Sequence, residues 1–295
     1  MLILTLLLVA MLSPCPAQAR DAAQTPCQAA SPRGASLRGA SLQGASLQGA
    51  SLVERAAAGQ VDWGSGLVRA GGTAPGGALS CPEATALATR GAQAALAQLL
   101  RGVVLASGRT VGSALQANPA AAAEFANIVR SAQVVDRKFY SDGGVEVAAA
   151  LSMRGGFLQL VLPPEVTSIA PVQQVTYCAA RAGARYSGLV VDARGLGVRP
   201  ALCPRLLSED GTEVFGPAFV SREAAVQRGV AAYATALPDK AGGRAGATPL
   251  LVRGLRASGA SRCDVVISHA DAQKLRSAPE SADFLQHCRV LIVVN

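Results

Sequence analysis

The chain has 295 residues, half of them apolar, with aromatics at 4% and a net charge of +8. That is enough apolar material for one large or two ordinary domains, with Ala, Val and Leu rather than large rings filling the core. The positive charge comes almost wholly from scattered arginines, with no basic run and no aromatic interleaving, which argues against a nucleic-acid partner.

The first residues, MLILTLLLVAMLSPCPAQAR, hold a nearly all-apolar run over 2–12, too short to span about 30 Å of hydrocarbon as a helix. It has the length of a secretory h-region, and Ala17-Gln18-Ala19 supplies small residues before Arg20. The segment 1–19 is therefore expected to be a signal peptide. A second processing possibility is lipidation at Cys15, which follows Leu12-Ser13-Pro14. No later segment is long and apolar enough to cross a membrane, so contact with one would come only through that lipid. Cleavage after Ala19 leaves six cysteines, Cys27, Cys81, Cys178, Cys203, Cys263 and Cys288. In an oxidising compartment these are disulfide candidates, with many pairings open; buried thiols with at most one or two bridges are the alternative. None falls in a CxxC.

Residues 20–59 are rich in Ala, Gly, Ser and Gln, and Ala-Ser-Leu returns every five residues at Ala35, Ala40, Ala45 and Ala50. The period is that of pentapeptide solenoids, but four copies make one coil with nothing stacked on it. With so little apolar area to offset ordering entropy, the segment is expected to be a disordered tether.

A first α+β domain is expected over 60–162. VDWGSGLVRAGG reads as a strand closed by Gly71-Gly72. SCPEATALATRGAQAALAQLLRG reads as a helix with a Ser80–Glu83 capping box, Pro82 in its first turn, and Leu96, Leu99, Leu100 and Val103 on one face. Asn118-Pro119 starts a second helix that buries Phe125, Ile128, Val129 and Ala132. AQVVDRKFYSDGGVEVAAALSM reads as a hairpin turning at Asp142-Gly143-Gly144. The helices belong on one face of a small sheet.

VDWGSGLVRAGGTA, LAQLLRGVVL, GRTVGSAL and VVDRKFYSDGGVEVAAALSM together resemble the Lpp-twenty lipoprotein family of bacterial envelope proteins, related in fold to the N-terminal domain of the flagellar assembly protein T. The resemblance implies a periplasmic or outer-membrane location. It also implies a binding or assembly role among envelope proteins, including flagellar or outer-membrane components, with no catalytic residues.

Residues 163–187, with Pro163-Pro164 and Pro171, read as a linker to a C-terminal α/β domain over 188–295. Its expected elements are a strand at 189–191, a hairpin at Asp210-Gly211 and a helix from Ser221 that presents Val226, Val230, Tyr233 and Leu237 on one face. Strands follow in PLLVRGL, CDVVIS and CRVLIVV, with the short helix HADAQKLRS after the second.

Chemistry is sparse. Asp192 and Arg194 lie just past an apolar strand, where open α/β sheets hold ligands; they either converge on a polar ligand or pair with each other across the Gly195-Leu196-Gly197 turn. His269 and Asp271 are too few for a metal site and suit a helix cap better. No nucleophile elbow and no phosphate loop is present, and no cofactor is expected. The sequence thus predicts an exported, two-domain α+β binding or assembly protein, not an enzyme, with a ligand-binding or enzymatic C-terminal domain as the alternative.

Overall fold

The computed structural model describes residues 51–77, 79–163, 166, 186–237, 243–278 and 280–295. The leader, residues 20–50 of the tether and most of the linker lie outside them, as do Cys15, Cys27 and Cys178.

The chain is α+β, built on two sheets. The first layer starts inside the segment expected to be tether. β1 (Val53–Ala56) and β2 (Gly59–Asp62) form an antiparallel hairpin. Strand pairing is made by the backbone, so an Ala-rich sequence can join a sheet whose core comes from elsewhere. Val61, facing the core, and the Trp63 indole, which donates to Glu54 Oε2 at 2.9 Å, anchor it. β3 (Leu67–Ala74) is followed by α1 (Cys81–Gly102), the small hairpin β4 (Val104–Ala106) and β5 (Arg109–Thr110), α2 (Val111–Gln116) and α3 (Pro119–Arg130). The hairpin β6 (Gln133–Phe139) and β7 (Val145–Ser152) comes next, and α4 (Gly156–Val161) ends the layer. The order is β1-β2-β3-β7-β6, antiparallel throughout.

The glycines do not close β3. Gly71 and Gly72 lie within it, and at Gly72 α1 presses on the strand: a Cβ there would stand 2.2 Å from Ala88 O and Ala92 N. The α1 face turned to the sheet is Ala84, Ala88 and Ala92, then Leu96 and Leu100, one residue per turn. The Glu83 carboxylate accepts from the Ser80 backbone N–H at 3.0 Å, the return bond of a capping box, and also from the Ser80 hydroxyl at 2.7 Å. Asn118 caps α3 through Ala121 N at 3.2 Å, and Phe125 and Val129 are its buried residues.

The second layer contains β8 (Leu189–Asp192), β9 (Leu206–Ser208), β10 (Glu213–Phe215), α5 (Arg222–Arg228) and β11 (Ala232–Ala234). β12 (Leu250–Ser258), β13 (Asp264–Ile267), α6 (His269–Ser277), α7 (Ser281–Gln286) and β14 (Val290–Val293) complete it. The order β10-β9-β13-β12-β8-β14-β11 mixes parallel and antiparallel pairs. The helix expected through residue 237 stops at Arg228. Gly229 turns to φ 79° and ψ 156°, and the chain re-enters the sheet as β11, parallel to β14, with Tyr233 buried. An Ala-rich run with Val and Tyr suits helix or strand by composition, and the open edge of β14 decides it.

The two sheets share one core. A continuous buried cluster joins Val68, Leu96 and Phe157 of the first to Leu189, Tyr233 and Ile292 of the second. Backbone bonds stitch the joint: Leu202 N to Val104 O at 3.0 Å, Cys203 N to Leu105 O at 2.8 Å, Gly155 N to Val226 O at 2.8 Å, and a bridge of Ser51 with Ala234.

Candidate functional site

Trp63 is placed at the joint by the turn after β2, which Asp62 holds. Asp62 Oδ1 accepts from the Ser51 hydroxyl, from Gly64 N at 3.0 Å and from Ser65 N at 3.1 Å. Burial pushes the Asp62 carboxyl up, but these bonds together outweigh it and hold the group below the usual carboxylate range. The indole edge meets the Tyr233 ring at 5.6 Å between centroids. The Tyr233 hydroxyl donates to Ala201 O and accepts from Ala201 N, both at 3.0 Å, tying the loop after β8 to β11. Deep burial pushes the phenol upward, so it stays protonated.

On one side of Trp63 a cleft of about 880 Å³ opens between the layers. Its floor is apolar, made by Val61, Trp63, Leu99 and Val104, and its charged lining residues are Arg55, Arg199 and Glu54, the last accepting from the Trp63 indole. Neither arginine is in an ion pair among the described residues. β1 is an edge strand, and apart from the single Ser51 bridge its outer edge is unpaired among the described residues.

Asp192 and Arg194 come together with each other. The guanidinium donates Nε to Oδ1 at 2.8 Å and Nη2 to Oδ2 at 2.7 Å, and the Arg194 backbone N–H reaches Oδ1 at 3.2 Å. The Arg194 hydrogen bond holds the Asp192 carboxyl below its ordinary range. The pair pins the turn, in which Gly195 and Gly197 take φ of 77° and 64°. His269 is not brought to it. Its backbone N–H donates to Glu209 Oε2 at 2.8 Å and its Nδ1 lies 3.4 Å from Ser208 Oγ. Ser268 caps α6, accepting from Asp271 N at 3.1 Å. Among the described residues no group of three His, Cys, Asp or Glu side chains is placed to hold a metal.

The cysteines divide. Cys81 is disulfide-bonded, with its partner outside the described residues. Cys203, Cys263 and Cys288, expected among the disulfide candidates, are instead buried thiols outside any disulfide. Burial pushes Cys263 up to about 12 and Cys288 up to about 11, which keeps both protonated and unreactive. Beside Cys263, buried Asp264 takes Arg205 Nη2 at 2.8 Å and the Arg205 backbone N–H at 3.1 Å.

Sequence reasoning passed over Arg55, Trp63, Arg199 and the strand placement of Tyr233. The available signal was Trp63 itself, the only tryptophan in an aromatic-poor chain and the side chain with the most surface to hide.

Residues 188–295 are similar to a family described as the second domain of Treponema pallidum Tp0624. The match covers the second layer and stops short of the first. No curated protein matches the chain.

Proposed function

We propose that this is an exported cell-envelope protein that works by binding, with the cleft beside Trp63 as its recognition surface and an acidic, extended segment of a partner protein as its occupant. The cleft carries the proposal: an apolar floor supplies affinity; two arginines, without ion pairs among the described residues, outnumber the one lining carboxylate, Glu54, which already accepts from the Trp63 indole, and so favour negative charge; and the edge of β1, unpaired among the described residues, offers backbone groups to an added strand. Export is supported by the apolar leader and by the disulfide at Cys81. An assembly role among envelope proteins, flagellar or outer-membrane components included, is supported by the resemblance of residues 60–162 to the Lpp-twenty family. The self-paired Asp192 and Arg194 give the alternative, a ligand site at the end of β8, no such support.

The test is a double charge reversal, Arg55→Glu with Arg199→Glu. It is expected to abolish co-purification of the partner from the envelope fraction while leaving the melting temperature within a few degrees. Co-purification unchanged by the reversal contradicts the proposal.

A further inference from the structure

On the other side of Trp63 lies a second, smaller pocket, with Arg154 of the first layer and Arg228 of the second among its lining. The two arginines are held close by the backbone, since Gly155 N donates to Val226 O at 2.8 Å. The remaining lining is Trp63, Met153, Leu158 and small or aliphatic neighbours, with no carboxylate. Arg154 spends one N–H on Gly64 O at 3.1 Å, and the Arg228 side chain makes no hydrogen bond or ion pair among the described residues. A third guanidinium stands behind them: Arg244 donates to Cys288 O at 2.7 Å, Arg228 O at 2.5 Å and Gly229 O. Burial, opposed by Cys288 and added to by the charges of Arg154 and Arg228, pushes Arg244 down to about 10. Asp62 is within electrostatic reach of Arg154 and partly offsets its charge, but it does not line the pocket.

Three guanidiniums gathered in a partly desolvated joint repel one another unless an anion joins them, and planar forks suit oxyanions in particular. The internal space, about 30 Å³, holds one or two oxygen-sized atoms. We propose that the pocket between Arg154 and Arg228 binds a compact oxyanion, a carboxylate or the leading oxygens of a phosphate, and so clamps the two layers together. Arg228 supplies the free fork, Arg154 the opposing charge, and Arg244 fixes the backbone of Arg228 and Gly229 from behind. This site is separate from the cleft and does not depend on it.

Trp63 lines the pocket and is the only tryptophan of the chain, so its emission reports occupancy. The full chain is titrated at constant ionic strength with inorganic phosphate and, separately, with acetate. A saturable emission change with either probe is expected, and which probe gives it distinguishes the two sources of oxyanion. Arg154→Ala and Arg228→Ala should each weaken it by about tenfold or more, Arg228→Lys less, and the distant surface variant Arg137→Ala not at all. Arg228 is exposed, so its removal leaves the fold intact, which the melting temperature checks. No saturation with either anion, or saturation that persists in the Arg154→Ala/Arg228→Ala double variant, overturns the proposal.

Discussion

The indole of Trp63 and the ring of Tyr233 meet edge to face across the joint of the two layers, their planes at 73°. One side chain follows β2, the other sits in β11, and both are buried. Trp63→Ala is therefore expected to cost about 3–5 kcal/mol, as large-to-small core changes do. Tyr233→Phe keeps the ring but strands both polar groups of Ala201, for about 1–3 kcal/mol. Denaturant titration measures both; a Tyr233→Phe variant as stable as the parent would remove the hydroxyl from the account of the joint.

Gly72→Ala tests the close approach of α1 to β3. The added methyl meets helix backbone at 2.2 Å, and backbone cannot swing aside as a side chain does. A loss of about 1–3 kcal/mol is expected, the usual range for overpacking. Gly71→Ala, whose Cβ meets nothing within 4 Å, serves as the matched control and should change little.

Cysteine chemistry should follow the division seen in the structure. Alkylation of the unfolded protein without reductant, read by mass spectrometry, should label Cys203, Cys263 and Cys288 and leave Cys81 unlabelled. In the folded protein at pH 8 the three buried thiols should react slowly, because all three are covered and burial also keeps Cys263 and Cys288 protonated. Labelling of Cys81 before reduction contradicts the bridge.

Acid should weaken the fold through Asp62 and Asp192. Both carboxyls sit below their ordinary value in the folded chain, Asp62 through the bonds of its turn and Asp192 through Arg194. A depressed carboxyl contributes stability that is present above its unfolded value, about 4, and is lost as pH falls through the folded one. Melting temperature should therefore drop below pH about 4. Asp62→Asn should lower stability at neutral pH and flatten that acid limb. An acid limb unchanged in the variant contradicts the role given to the turn.

Much of this architecture was readable locally. The Ser80–Glu83 box and the four-residue spacing of α1 mark its ends and its face, Asn118-Pro119 opens α3, and Asp142-Gly143-Gly144 turns β6 into β7, because caps and turns are chemistry between near neighbours. Short helices such as α2 and α7, with one or two turns to show a period, escaped. β11 was misassigned because its Ala-rich sequence has no strong preference of its own, and its pairing with β14 is a long-range choice. β1, Val53-Glu54-Arg55-Ala56, is hidden because four residues are too few to show a period. The joint was least legible: Trp63 stands out, but nothing near it in sequence points to Tyr233, Arg199 or Arg228, which the packing of one sheet against the other brings to it. Asp192 and Arg194 were visible as a pair, and proximity along the strand end gave them each other as partners.

The central claim is that the cleft beside Trp63 is where this chain meets its partner. A photo-crosslinking residue at Leu99, on the cleft floor, measures this directly in cells, with the same residue at exposed Leu255 on β12 as the comparison. A discrete adduct with an envelope protein from Leu99 only, lost when Arg55 and Arg199 are both reversed to Glu, is the predicted result. No adduct from Leu99, or one that Leu255 reproduces and charge reversal leaves in place, contradicts it.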